Sequence, residues 1–135
     1  MKRWIFACLA LLLVVGFSRT SLAARQTQVE ILYMNHGPLM DTLDRIKGLL
    51  PRYGDKIHVS WYDYESEQGE RFKAKKGVKQ HIPLIIWIDG SSSVKSGRKE
   101  INLIGFPSGS GPAPFQGNWS IDNLREALDQ ATGRK

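Results

Sequence analysis

From Val29 to Met34 every position is apolar except Glu30, and such a run predicts a strand covered on both faces, as parallel strands are. Asn35-His36-Gly37-Pro38 follows as a turn, with Pro38 placed to open a helix. That helix carries apolar residues at Leu39, Leu43, Ile46, Leu49 and Leu50, a helical spacing that Pro51 and Gly54 bring to an end. Lys56 to Tyr64 alternates and is rich in aromatic and β-branched residues, which predicts a second strand. A polar helix runs from its cap Ser66 to about Lys76, with Gly77 behind it. Pro83 opens a third apolar strand through Ile88, and Asp89-Gly90 starts a hairpin that returns along Ile101 to Gly105. Ser120 caps a last helix through Leu124, Ala127, Leu128 and Ala131, ending at Gly133.

The order strand, helix, strand, helix, strand, strand, helix predicts an α/β fold. Strands joined through a helix pair in parallel with a right-handed crossover, and the closing hairpin adds an antiparallel strand. The expected architecture is a four-stranded mixed sheet with helices on both faces. The polar, glycine-containing stretch Ser91 to Lys99 reads as a mobile hairpin insert.

The N-terminus changes this picture. Lys2 and Arg3, the apolar run Trp4 to Phe17 and the small-residue end Ser21-Leu22-Ala23-Ala24 are the three parts of a secretory signal. Residues 1–23 are therefore expected to be the signal peptide, 24–28 a short linker and 29–133 the domain. The apolar run is shorter than the ~20 residues of a spanning helix; an uncleaved anchor is the alternative. Cleavage leaves about 112 residues, enough for one compact domain. It removes Lys2, Arg3 and Arg19 and no acid, so the formal charge falls from +6 to +3. So mild a balance argues against an obligate nucleic-acid binder. Cleavage also removes Cys8, the one cysteine of the chain. Exported proteins meet an oxidising compartment in which disulfides are common, yet the mature chain is left without bridges or thiol chemistry. The expected location is the bacterial periplasm or the exterior, with no stable membrane insertion.

Two stretches carry a family resemblance: Val29-Glu30-Ile31 through His36-Gly37-Pro38-Leu39, and Gly77-Val78-Lys79-Gln80-His81-Ile82-Pro83 followed by Leu84-Ile85-Ile86-Trp87. With this element order the chain resembles the thioredoxin family from about Val29 to Thr132. The family's redox motif is Cys-Gly-Pro-Cys or a close variant, and the same four places here read His36-Gly37-Pro38-Leu39. A thiolate in the first place is stabilised by unpaired N–H groups and the helix dipole, which makes it the nucleophile. With His36 and Leu39 in the two cysteine positions, neither nucleophile nor resolving sulfur exists.

The resemblance implies that Pro83 is the family's cis-proline, facing the motif and leaving the backbone of Ile82 free to pair with an extended peptide. From the residues alone, an ordinary trans proline opening a strand remains open. Glu30 falls where the family keeps a buried acid, and a charge in an apolar strand is costly unless paired or protonated; a Glu30 turned to solvent is the other reading. His36 is either an inert polar replacement or a base with Glu30 as its relay. His81, which the resemblance brings to the same end of the sheet, could join His36 and a carboxylate around a metal, although zinc-motif spacing is absent.

Arg71, Lys73, Lys75, Lys76 and Lys79, interleaved with Glu67 and Glu70, read as a solvated helix face. Trp61, Tyr62, Tyr64 and Trp87 read as sheet packing. The largest departure from a minimal thioredoxin is Phe106 to Gly117, which holds three prolines and exceeds the usual connection of ~2–6 residues. At the motif end of the sheet, Phe106 and Phe115 would cover or help form a groove between His36 and Pro83; a disordered linker is the alternative.

The expected function is thus binding of an extended peptide or partner protein, without cofactor or metal. The groove would be bounded by His36-Gly37-Pro38-Leu39, Ile82-Pro83, Phe106 and Phe115. The alternative is a non-thiol enzyme or metal-binding protein using His36 with Glu30 or His81. Intact-mass measurement of the exported protein is expected to give a chain beginning at Ala24 or Arg25; the mass of the whole chain would establish an anchor instead.

Overall fold

The structure, a computed structural model, describes residues 24–134, so the expected signal peptide, residues 1–23, lies outside the described residues. Strand β1 (Thr27–Tyr33) leads into helix α1 (Gly37–Leu49), a short 3-10 segment (Leu50–Lys56) and strand β2 (Ile57–Asp63). Helix α2 (Glu67–Lys76) and strand β3 (Leu84–Ile88) follow, then strands β4 (Ser93–Ser96) and β5 (Lys99–Asn102) and helix α3 (Ile121–Thr132). β1 begins two residues inside the expected linker, at Thr27.

β1 is the middle strand. It pairs in parallel with β2, Val29 beside Val59 and Ile31 beside Trp61, and antiparallel with β3, Ile31 beside Ile86. Alternation sends Val29, Ile31, Val59, Ile86 and Ile88 to one face, where Leu39, Leu43 and Ile46 of α1 and Leu124, Ala127 and Leu128 of α3 bury them around Trp119. Leu32, Ile85 and Trp87 point to the other face, covered by Phe72 of α2 with Tyr62 stacked on it at 3.8 Å between ring centroids. Helices thus lie on both faces, as expected.

The caps are local. Ser66 accepts from the Gly69 N–H at 2.9 Å, Gly77 ends α2 in the left-handed region, and Ser120 and Asn123 close a reciprocal capping box.

Two expectations are corrected. The sheet has three strands, in the order β2-β1-β3, not four. Asp89 and Gly90, both at positive φ, make the expected tight turn, but only Ser91 returns beside Ile88 before the chain leaves the sheet. β4 and β5 then pair with each other against α3 as a separate two-stranded sheet. There Ser96 is buried and donates to Glu126 while accepting from Asn123 Nδ2 at 2.9 Å. The chain regains β3 only over Leu103 to Gly105, where Ile86 N–H donates to Leu103 O at 3.0 Å and Gly105 N–H to Leu84 O at 2.7 Å. Gly105, with φ of 76°, ends that stretch before it becomes a strand.

The second correction concerns direction. β3 runs antiparallel to β1 although a helix joins it to β2. Gly77 turns the chain at the end of α2, and the segment up to Pro83 carries it back so that Leu84 enters beside Tyr33, the last residue of β1. A parallel strand would have entered at the other end.

At the far end of the molecule the buried Tyr53 donates to Asp129 Oδ1 at 2.9 Å and to Arg125 O at 3.1 Å, tying the 3-10 segment to α3. Burial, with the hydrogen bond and the negative charge of Asp129, pushes this phenol up to about 12 from 10.0. The raised value means that the folded state holds its proton longer than the unfolded state. The contribution, about 3 kcal/mol at most, is fully present below pH 10 and is lost as the pH rises towards 12. Urea denaturation as a function of pH is expected to show that loss in the native chain, and Tyr53→Phe is expected to remove this part of the slope.

Candidate functional site

The site lies where β1 ends. Met34 N–H donates to Pro83 O at 2.9 Å, and His36 N–H turns back to Met34 O at 2.9 Å, which brings the start of α1 beside the start of β3. His36 is the N-cap residue of α1 in extended conformation, but its ring makes no capping hydrogen bond. Pro38 occupies the first turn, where a missing N–H costs nothing. Leu39 is 1% exposed, an aliphatic side chain anchored in the core.

Met34, His36, Gly37, Pro38, Leu39, His81, Pro83, Phe106, Pro112 and Phe115 enclose one largely apolar groove of about 420 Å³. The structure therefore brings together His36-Gly37-Pro38-Leu39, Pro83, Phe106 and Phe115. Ile82 lies instead in an adjoining hollow of about 280 Å³ with Ile104, Gly105 and Gln116, and the two share His81, Pro83 and Phe115. Neither the N–H nor the C=O of Ile82 has a hydrogen-bond partner among the described residues.

The Ile82–Pro83 bond is trans, which corrects the cis geometry expected from the resemblance; no cis peptide occurs among the described residues. β3 can start without it, because Pro83 enters from an extended segment and its carbonyl already pairs with Met34.

The far wall is the segment from Phe106 to Gly117, which is an ordered strap. Phe106 N–H donates to Phe115 O at 2.8 Å, and Gly117 N–H donates to Phe106 O at 2.7 Å. Gln116 spans the turn, accepting from Gly109 N–H at 3.2 Å and donating to Gly111 O at 2.9 Å. Gly111 lies against the Phe106 ring where a Cβ would collide with it, and the fully buried Trp119 donates to Gly105 O at 3.2 Å. The strap buries Phe106 and leaves Phe115 42% exposed at the groove mouth.

Glu30 does not reach this site. Its position on β1 points it to the α2 face beside Trp87, where its carboxylate meets Lys76 Nζ at 2.6 Å. Lys76 also lies 5.2 Å from the Trp87 ring centroid and 5.3 Å from that of Phe72, and Lys73 is buried with its Nζ 3.6 Å over Tyr64. These two lysines are thus not part of a solvated face; their stems and charges cover the aromatic side of the sheet. The carboxylate beside His36 is Glu65, 3.9 Å from Nε2, with both side chains largely exposed. His81 packs edge-on against Tyr64 at 5.7 Å. Among the described residues no three His, Cys, Asp or Glu side chains converge to hold a metal, and no helix is long and apolar enough to cross a membrane.

Sequence reasoning missed Met34, Pro112 and Glu65. Met34 was legible as the last residue of the apolar run from Val29, just past the end of β1, whereas Pro112 and Glu65 reach the site through loop conformations that carry no periodic signal.

Removing Lys76 strands a largely buried carboxylate, whereas removing both charges does not. Lys76→Met is therefore expected to cost about 2–3 kcal/mol in urea denaturation, and Glu30→Gln with Lys76→Met clearly less. Glu30→Gln alone closes the cycle: a double-variant loss equal to the sum of the two single losses would mean that the pair carries no coupling.

The chain matches no protein-family model, no curated protein and no solved structure.

Proposed function

We propose that the mature chain is an exported, redox-inactive thioredoxin-like domain that binds an extended peptide or a partner protein in the groove at the start of α1. The observation that carries this reading is the apolar groove of about 420 Å³ joining His36-Gly37-Pro38-Leu39 to Pro83 and the Phe106–Gly117 strap. Three further features support it. Leu39 and His36 replace any thiol, so the groove offers contact surface and no sulfur chemistry. The unpartnered backbone of Ile82 provides a donor and an acceptor for an extended chain. Phe115, exposed at the mouth between two hollows, gives alternate side chains of such a chain an apolar ridge to straddle.

A library of extended peptides offered to the protein tests this. Binding is expected to favour peptides with apolar residues at alternate positions. Phe115→Asp, at an exposed site, is expected to weaken binding tenfold or more with the thermal melt unchanged, the loss of about 1.4 kcal/mol or more of apolar contact. Binding untouched by both Phe115→Asp and Pro83→Ala would place the interaction elsewhere.

A further inference from the structure

The two edges of the sheet differ. The outer edge of β3 is closed by the returning Leu103 to Gly105 stretch and by the turn at Ser91. Among the described residues no segment pairs with the outer edge of β2. The direction of its free groups follows from the ladder: Tyr64 N–H donates to Tyr33 O at 2.7 Å, so the even-numbered residues of β2 turn their N–H and C=O towards β1. Ile57, Val59 and Trp61 turn theirs outwards, and none of these has a hydrogen-bond partner among the described residues.

Edge strands are ordinarily blunted by Lys, Pro, a bulge or a covering segment. From Ile57 to Tyr62 there is no proline, no Lys, Arg, Asp or Glu, and no residue at positive φ. On the α1 side the edge is flanked by a largely apolar hollow of about 320 Å³ lined by Leu50, Pro51, Gly54, Ile57, Val59 and Trp61, with Lys47 at its rim, its Nζ 5.8 Å from the Trp61 ring centroid. Val59 and Trp61 are only half-buried there.

We propose that this edge pairs antiparallel with the same edge of a second copy of the chain, continuing the sheet across a two-fold axis near Ser60. The polarity of the strand selects a copy of itself. Its first end is basic on balance, with Arg52 and Lys56 against Asp55, and its last end is acidic on balance, with Asp63 and Glu65 beside a Glu67 that Arg71 already pairs. Antiparallel pairing sets each basic end against an acidic end; parallel pairing would set like against like. A two-fold axis at Ser60 places Val59 opposite Trp61 of the second copy, so that each indole seats over the hollow formed by Ile57, Val59 and Leu50 of the other. The contact is isologous and closes at two copies. The peptide groove is built from the start of α1, Pro83 and the strap, on the β3 side of β1, whereas this pairing uses the edge of β2.

Light scattering on the protein expressed from the full sequence, across a concentration series, is expected to show a monomer–dimer equilibrium. Hydrogen exchange is expected to show the Val59 and Trp61 amides becoming protected as the dimer fills. Val59→Lys is expected to weaken dimerisation tenfold or more with circular dichroism unchanged, and Trp61→Lys serves as the second variant should the first disturb folding. A wild-type monomer at every concentration, growth beyond two copies, a dimer indifferent to both variants, or protection of these amides only on adding a foreign peptide would each overturn the proposal.

Discussion

Every other element takes its place from β1. This one strand is hydrogen-bonded along both edges and buried on both faces, so its backbone needs a neighbour on each side and its side chains need cover above and below. Val29 and Ile31 draw α1 and α3 onto one face, and Leu32 draws Phe72 of α2 onto the other. Each such aliphatic side chain, fully buried, contributes on the order of 2 kcal/mol. The single charged position in the strand faces the thinner of the two layers, where one lysine can reach it. Glu30 is therefore part of the packing of α2 rather than of the site, and the acid nearest His36 is the exposed Glu65.

The site is the place where that strand stops. A turn of three residues carries the chain from β1 into α1, and Met34 ties the turn to Pro83. In a thiol enzyme this geometry would aim a nucleophile from the helix start. Here Leu39 is turned into the core and His36 stands exposed, so the same geometry leaves a concave apolar surface. The strap from Phe106 to Gly117 deepens it. Its order comes from its own backbone bonds and from glycines at positions where any side chain would meet a ring or a carbonyl.

Much of this was legible in residue order. The helices were, because Pro38 in the first turn of α1 and the caps Ser66, Gly77, Ser120 and Gly133 act within one turn. Strands β1 and β3 were, because continuous apolar runs have few other uses, and β2 was, because its residues alternate and are rich in aromatic and β-branched types. The apolar content of the site was legible too, since His36 to Leu39, Pro83, Phe106 and Phe115 stand out as a turn, a strand start and a long proline-bearing loop. The fourth strand was not. Ile101 to Gly105 has strand-like residues, but whether they pair with β3 or with Ser93 to Ser96 depends on where the turn at Asp89 sends the chain.

The sequence by itself determined the three helices and strands β1 to β3, which faces are apolar, and that residues 24–135 carry no cysteine, since each is a matter of residue type and short-range spacing; it did not show β4, which lies in the stretch read as a mobile insert. Only the tertiary structure decided the direction of β3, the trans peptide before Pro83, the pairing of Glu30 with Lys76, the folding of the long loop into a strap and the contrast between a closed and an open sheet edge. These depend on contacts between residues far apart in the chain. Short-range pattern is silent about them, because the same apolar and polar positions are compatible with more than one partner.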